Sequence, residues 1–225
     1  MESKYQKIEE IVAKELSCSA HAMEHVIRVY NLCLHLAKCE SSIDLDVLKT
    51  AALLHDIARL KEFNDKSGSI DHSALGAEMA DKILRTLGYS EEKIAHVKHC
   101  IAAHRFRSKV EPQTKEAKIL FDADKLDVLG AIGVARSFMI AGQYDQKIYS
   151  ETSIKEYMKE NVIGEKADGM IIDISKHSPN LEFELKFKRI PERLYTQKAR
   201  EMAKERMRFM EDFFEKLKRE IKGEL

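Results

Sequence analysis

Apolar positions recur every three or four residues through most of this chain, a period that predicts helices. Ile8, Ile11, Val12 and Leu16 mark an amphipathic helix over about 4–16. A second, about 21–38, sets Val26, Val29, Tyr30, Cys33 and Leu36 on one side. Asp46 is placed to N-cap a third, whose inner face carries Val47, Thr50, Ala51, Leu54 and Ala58. Lys61–Ser69, with Asn64 and Gly68, reads as a loop. Two more helices follow over about 72–87, closed by Gly88, and about 90–104, capped by Ser90. A long helix then opens at Thr114 and ends at Gly142, with an inner stripe of Ala117, Leu120, Asp124, Asp127/Val128, Ala131, Ala135 and Phe138.

Beyond Gly142 the pattern breaks. Residues 143–180 are polar and punctuated by Gly164, Gly169 and Pro179, with one short helix over about 153–160. Phe183, Leu185 and Phe187 alternate as a strand would, but the short Met170–Ile174 run is a poor partner, so helix is preferred over a small hairpin. The last helix, about 195–222, is amphipathic through Ala199, Met202, Ala203, Arg206, Phe209, Met210 and Phe213. The expected fold class is all-α.

Composition narrows the partners. Lys+Arg and Asp+Glu are equal at 38, so no general field draws the chain to nucleic acid or an anionic membrane. Any anion must be bound locally. No apolar run reaches the length of a membrane span, the first residues lack a signal-peptide core, and Cys18, Cys33, Cys39 and Cys100 lack Cys-x-x-Cys spacing. Reduced thiols and a cytoplasmic location are expected. Walker, Rossmann and Gly-x-Ser-x-Gly signatures are absent.

The chemistry concentrates at His55-Asp56, a doublet inside the apolar segment Ala-Ala-Leu-Leu-His-Asp-Ile-Ala. Burying an imidazole beside a carboxylate is costly unless hydrogen bonds or a cation compensate. His25 is in phase with Val29 and Leu32, which turns it to the core, where either a protein partner or a metal would satisfy it. Asp124 and Asp127 lie about one turn apart on the inner stripe of the long helix, while Asp122 points the opposite way, toward solvent or a salt bridge. His72 and His104 begin and end their helices, and His99 lies well round from His104. His35, His96 and His177 read as surface or capping residues.

The ordered set His25-x-x-Arg28-Val29, Leu54-His55-Asp56-Ile57 and Asp122-Ala123-Asp124-Lys125-Leu126-Asp127 resembles the HD-domain metal-dependent phosphohydrolases. The resemblance covers about 18–142 and loosens toward the C-terminus, where it is similar to the small single-domain members. It implies an HD-domain helical bundle over 1–142, with 143–225 as a helical extension packed on it in a single compact domain. It also makes His25, His55, Asp56 and Asp124 the metal ligands. That donor set suits a divalent ion without choosing among Mn, Mg, Ni, Fe, Co and Zn.

His72 and His104 could bind a second metal, donate to a phosphate, or line the cleft; the role of His99 stays open. Arg28, Arg59, His104, Arg105 and Arg136 are candidate phosphate contacts. Asp127 or His72 could take a proton or orient water, with Lys125 stabilising charge. The reaction implied is metal-assisted hydrolysis of a phosphate ester or anhydride, with a nucleoside triphosphate cleaved to monophosphate and pyrophosphate as the leading substrate. The rivals are a nucleotide-sensing module without turnover and a di-iron oxygenase on the same scaffold. A small phosphorylated molecule is the expected partner, and the protein is expected to be a monomer or homodimer.

Overall fold

A computed structural model describes residues 3–16, 20–106, 110–165 and 169–225. Cys18 and the side chain of His21 lie outside the described residues. The fold is all-α: among the described residues extended pairing is limited to an isolated antiparallel bridge between Val162 and Ile171. The chain divides into two compact units, Met1–Asp124 and Lys125–Leu225.

The first unit is organised around helix α3 (Leu45–Leu54), which packs against α1 (Lys4–Glu15), α2 (Ala20–Ala37) and α6 (Glu91–Ala103). Leu48, Ala51, Ala52, Leu53 and Leu54 are fully buried, so the C-terminal half of α3, which carries the doublet, is covered on every side. Asp44, rather than Asp46, caps it, accepting from the Asp46 and Val47 amides at 2.9 and 3.1 Å. Asp46 already belongs to the first turn. There it accepts from Tyr5 Oη at 2.9 Å and Lys93 Nζ at 2.6 Å, tying α1 and α6 to α3. Burial works against that carboxyl's ionisation, but Lys4, Lys93 and Tyr5 outweigh it and lower its pKa.

The predicted loop after the doublet contains a short helix, α4 (Arg59–Asn64). Asp65 then ties the connection together by accepting from the Ser67 and Ile70 amides at 2.9 and 2.8 Å. Asp71 caps α5 (His72–Thr86), which packs along α6. Asp122, expected to find solvent or a salt bridge, is fully buried and so away from solvent, since α7 (Lys115–Leu126) is covered on both sides at Phe121 and Ala123.

The long predicted helix is broken. Helix α7 ends at Leu126, whose carbonyl accepts from Arg206, and α8 (Gly130–Gln143) begins with Gly130 at φ +73°. The break rotates the buried face of α8 to Gly133, Val134, Ser137 and Ala141, leaving Ala131 and Ala135 exposed. Gly133 is required by close approach, because a Cβ there would lie 2.1 Å from the Val128 carbonyl oxygen.

The second unit continues with α9 (Ile154–Asn161), α10 (Pro179–Leu185), α11 (Ile190–Arg193) and α12 (Gln197–Ile221). Leu181–Leu185 is helical, as preferred, and Ile171 pairs with Val162 instead of the Phe183 segment. On α12 the buried row is Ala199, Ala203, Met207, Met210 and Phe214, so Phe209 is turned out at 48% exposure. His177, expected at the surface or as a cap, is the C-cap of the short helical turn Ile174–Lys176 but is buried, between Tyr157 Oη at 2.7 Å and Glu182 Oε2 at 3.1 Å.

The Gly133 contact can be checked by substitution. Gly133→Ala should destabilise the protein by about 3 kcal/mol, since a backbone oxygen cannot give way. Gly142→Ala, with open space at its Cβ, should be neutral or stabilising by up to about 1 kcal/mol. Urea unfolding of both variants tests the contrast; equal midpoints would contradict it.

Candidate metal centre

Helix ends deliver most of the candidate ligands. His55 stands at the C-cap of α3, His104 at the C-cap of α6, and His72 is the first residue of α5. His25 comes from α2 and Asp124 from α7. Helices end with carbonyls that lack intrahelical partners. Here Ala52 accepts from His55 Nδ1 at 2.8 Å, and Ile101 accepts from His104 Nδ1 at 2.6 Å. Each bond puts the ring proton on Nδ1 and leaves Nε2 with a free lone pair.

Those lone pairs meet. His55 Nε2 lies 3.4 Å from His25 Nε2, and His72 Nε2 lies 3.3 Å from His104 Nε2. Asp56 stands between the two pairs. Its Oδ2 is 3.6 Å from His25 Nε2 and 3.9 Å from His55 Nε2. Its Oδ1 is 3.5 Å from His72 Nε2 and 3.6 Å from His104 Nε2. Asp124 Oδ1 adds a further oxygen 3.2 Å from His25 Nε2. Two groups result, His25–His55–Asp56 and Asp56–His72–His104, each with its ligand atoms within 4.8 Å of one another.

This donor set fits a divalent cation. Nitrogens bound about 2.1 Å from one ion stand about 3.0 to 3.4 Å apart at octahedral to tetrahedral angles. The observed spacings of 3.3 and 3.4 Å match that range. A doubly protonated ring would also draw two such nitrogens together, but burial opposes that charge. Burial, countered by Asp56 and reinforced by His104 and His25, pushes His55 down to about 4. His72 is lowered too, first by burial. Burial resists the ionisation of Asp56, but His55, His104 and His25 outweigh it and hold its carboxyl well below the usual range.

The remaining sequence candidates fall into two sets. Arg59 lies beside His72, with Nη1 3.2 Å from Nδ1, and Arg105 reaches Asp71 at 2.7 Å. Arg28 follows His25 by one turn and lies 3.8 Å from Glu24. Lys125, Asp127 and Arg136 belong to the second unit, where Arg136 donates to the buried Asp127 at 2.7 Å. His99 is outside both ligand groups; its Nε2 accepts from the Gln113 amide at 3.0 Å. A residue the sequence did not flag is Glu62, whose Oε2 lies 2.8 Å from His72 Nδ1. Its one sequence signal is the three-residue spacing from Arg59 on a segment that reads as loop.

The electrostatics predict how the metal-free protein responds to acid. Below its ordinary value of 6.5 the unfolded His55 takes up a proton that the folded protein refuses until about 4. Stability is therefore present above pH 6.5 and lost as the pH falls toward 4. Between pH 7 and 5, His55 should account for about 2 kcal/mol. Urea unfolding of chelator-treated protein measures this, and stability that stays flat over that range would contradict it.

Comparison with known proteins agrees with this geometry. The HD domain family model matches residues 22–129, which span His25 to Asp127. The Bacillus subtilis protein YpgQ is 30% identical over 209 residues, covering 91% of this chain and 86% of YpgQ. The crystal structure of B. subtilis YpgQ in complex with ADP is similar at a TM-score of 0.71 and 27% identity, covering 99% of this chain and 100% of that one. An HD-superfamily hydrolase from Bacillus thuringiensis gives 0.70 and 27%, covering 97% of each chain. The 3'-5' exoribonuclease YhaM of Bacillus pumilus is 25% identical over 139 residues, covering 56% of this chain but 44% of YhaM. A relative matched along most of its length, carrying the same domain in the same fold, fixes the lineage: the chain belongs to the HD-domain phosphohydrolase superfamily.

Proposed function

We propose that this protein is a metal-dependent phosphohydrolase that cleaves a nucleotide, with hydrolysis of a nucleoside triphosphate to monophosphate and pyrophosphate as the preferred reaction. The observation that carries the proposal is Asp56, whose two oxygens face two separate pairs of imidazole nitrogens. His25, His55, Asp56 and Asp124 would hold one divalent ion, and Asp56, His72 and His104 a second. Bound there, such ions lower the pKa of a water and polarise a phosphoryl oxygen.

The protein's own groups do the rest. Backbone bonds from Ala52 and Ile101 keep the His55 and His104 rings oriented, so little reorganisation is needed when substrate arrives. Arg59 sits beside His72 and Arg105 beside Glu62 and Asp71, and both offer planar, permanently charged forks to phosphate oxygens. Arg28 and Arg136 are included as phosphate contacts, and Lys125 and Asp127 as charge-stabilising and proton-handling groups. The nucleotide assignment is supported by the ADP held by YpgQ and by the nucleic-acid substrate named for YhaM.

A second reading deserves a discriminating test, because two histidine-rich groups sharing a carboxylate would also serve a di-iron oxygenase. Nucleotides should be screened for phosphate and pyrophosphate release with several divalent metals under anaerobic conditions. The proposal predicts metal-dependent release with a redox-inert ion, and a fall of at least about 100-fold in Asp124→Ala. Oxygen consumption that needs iron would support the oxygenase instead. Metal and nucleotide binding with no product would leave a sensing module.

A further inference from the structure

Glu62 lies in neither ligand group, yet four donors converge on it. Its Oε2 is 2.8 Å from His72 Nδ1 and 2.8 Å from Arg59 Nη1. Its Oε1 accepts from the His72 backbone amide at 3.4 Å and lies 3.1 Å from Arg105 Nη1. One carboxylate thus grips both the backbone and the ring of His72, while two guanidinium groups fix the carboxylate in turn. A ring held at both ends has little freedom to swing.

The same contacts settle which ring nitrogen carries the proton. Arg59 Nη1 stands 3.2 Å from His72 Nδ1, and a bond between them would need Nδ1 to be unprotonated. That would leave a nitrogen lone pair facing a carboxylate oxygen at 2.8 Å, which is repulsive. A protonated Nδ1 donates to Glu62 instead, and Arg59 donates to the same oxygen. The lone pair of His72 is then on Nε2, which faces Asp56 Oδ1 at 3.5 Å and His104 Nε2 at 3.3 Å. Glu62 therefore does for His72 what the Ala52 and Ile101 carbonyls do for His55 and His104.

The geometry points to Glu62 as the positioning residue of the Asp56–His72–His104 group, holding His72 with its Nε2 lone pair turned toward a divalent cation. The inference rests on the two-ion reading above. A carboxylate behind a ligating imidazole fixes its orientation and raises its basicity, and losing such a partner costs about 10- to 100-fold in metal affinity. The effect should fall on one of the two ions, because Glu62 touches neither His25 nor His55.

Titration of chelator-treated full-length protein with Mn2+, followed by calorimetry and by the electron paramagnetic resonance of free Mn2+, tests this without any substrate. Wild-type protein should bind two ions. Glu62→Gln should bind the first with unchanged affinity and the second about 10- to 100-fold more weakly. Glu62→Asp, which keeps the charge but shortens the reach, should weaken the same ion and serves if the glutamine variant fails to fold. Two ions at wild-type affinity in these variants would overturn the assignment, and so would equal weakening of both ions, the mark of a general structural role. A wild-type protein that takes up a single ion at every concentration would contradict the two-ion reading itself, a failure told apart by the wild-type titration alone.

Discussion

The site depends on how helix ends dispose of their unpaired carbonyls. At Ala52 and Ile101 the carbonyl accepts a hydrogen bond from Nδ1 of the histidine three residues on, and this one bond determines both where the ring lies and which nitrogen is bare. Repeated at two helix ends and echoed by Glu62 at His72, it gathers nitrogen lone pairs around a single carboxylate. Lone pairs and carboxylates packed together repel one another and resist burial. A divalent cation relieves both costs at once, and a proton does so poorly where burial has already lowered the imidazoles' affinity for it.

The fold supplies the rigidity that such an arrangement needs. The C-terminal half of α3 is buried on every side, so His55 and Asp56 leave from a helix end that is firmly packed. Asp46 secures that helix to α1 and α6, and α6 carries His104 at its far end. His72 is placed by the Asp71 cap at the start of α5 and by Glu62 on the short helix α4. The backbones of His55, Asp56, His72 and His104 are thus anchored by interactions separate from the cluster. This is how polar groups stay close without a tether between them.

Much of this was legible in the sequence, because burial of a charged residue violates a pattern that is otherwise strictly kept. His55-Asp56 breaks an apolar run, and Asp124 breaks an apolar stripe; both breaks mark the cluster. Helix periodicity also placed the all-α fold and the termini of α5, α6 and α12 well. What it missed depends on tertiary contact. The break between α7 and α8 hides in an apolar stripe that continues across it and is set by Gly130 and by Arg206, eighty residues on. Asp44 outcompetes Asp46 as a cap because Asp46 has partners on two other helices, which no local rule contains. Glu62 was invisible for the same reason: its partner His72 lies ten residues away across a turn whose shape the sequence did not disclose.

The two groups around Asp56 are proposed to hold one divalent cation each. Anomalous diffraction from crystals grown with Mn2+, recorded on both sides of the manganese edge, measures this most directly. One peak is expected among His25, His55, Asp56 and Asp124 and another among Asp56, His72 and His104. Full manganese content with no anomalous peak at either place would contradict it.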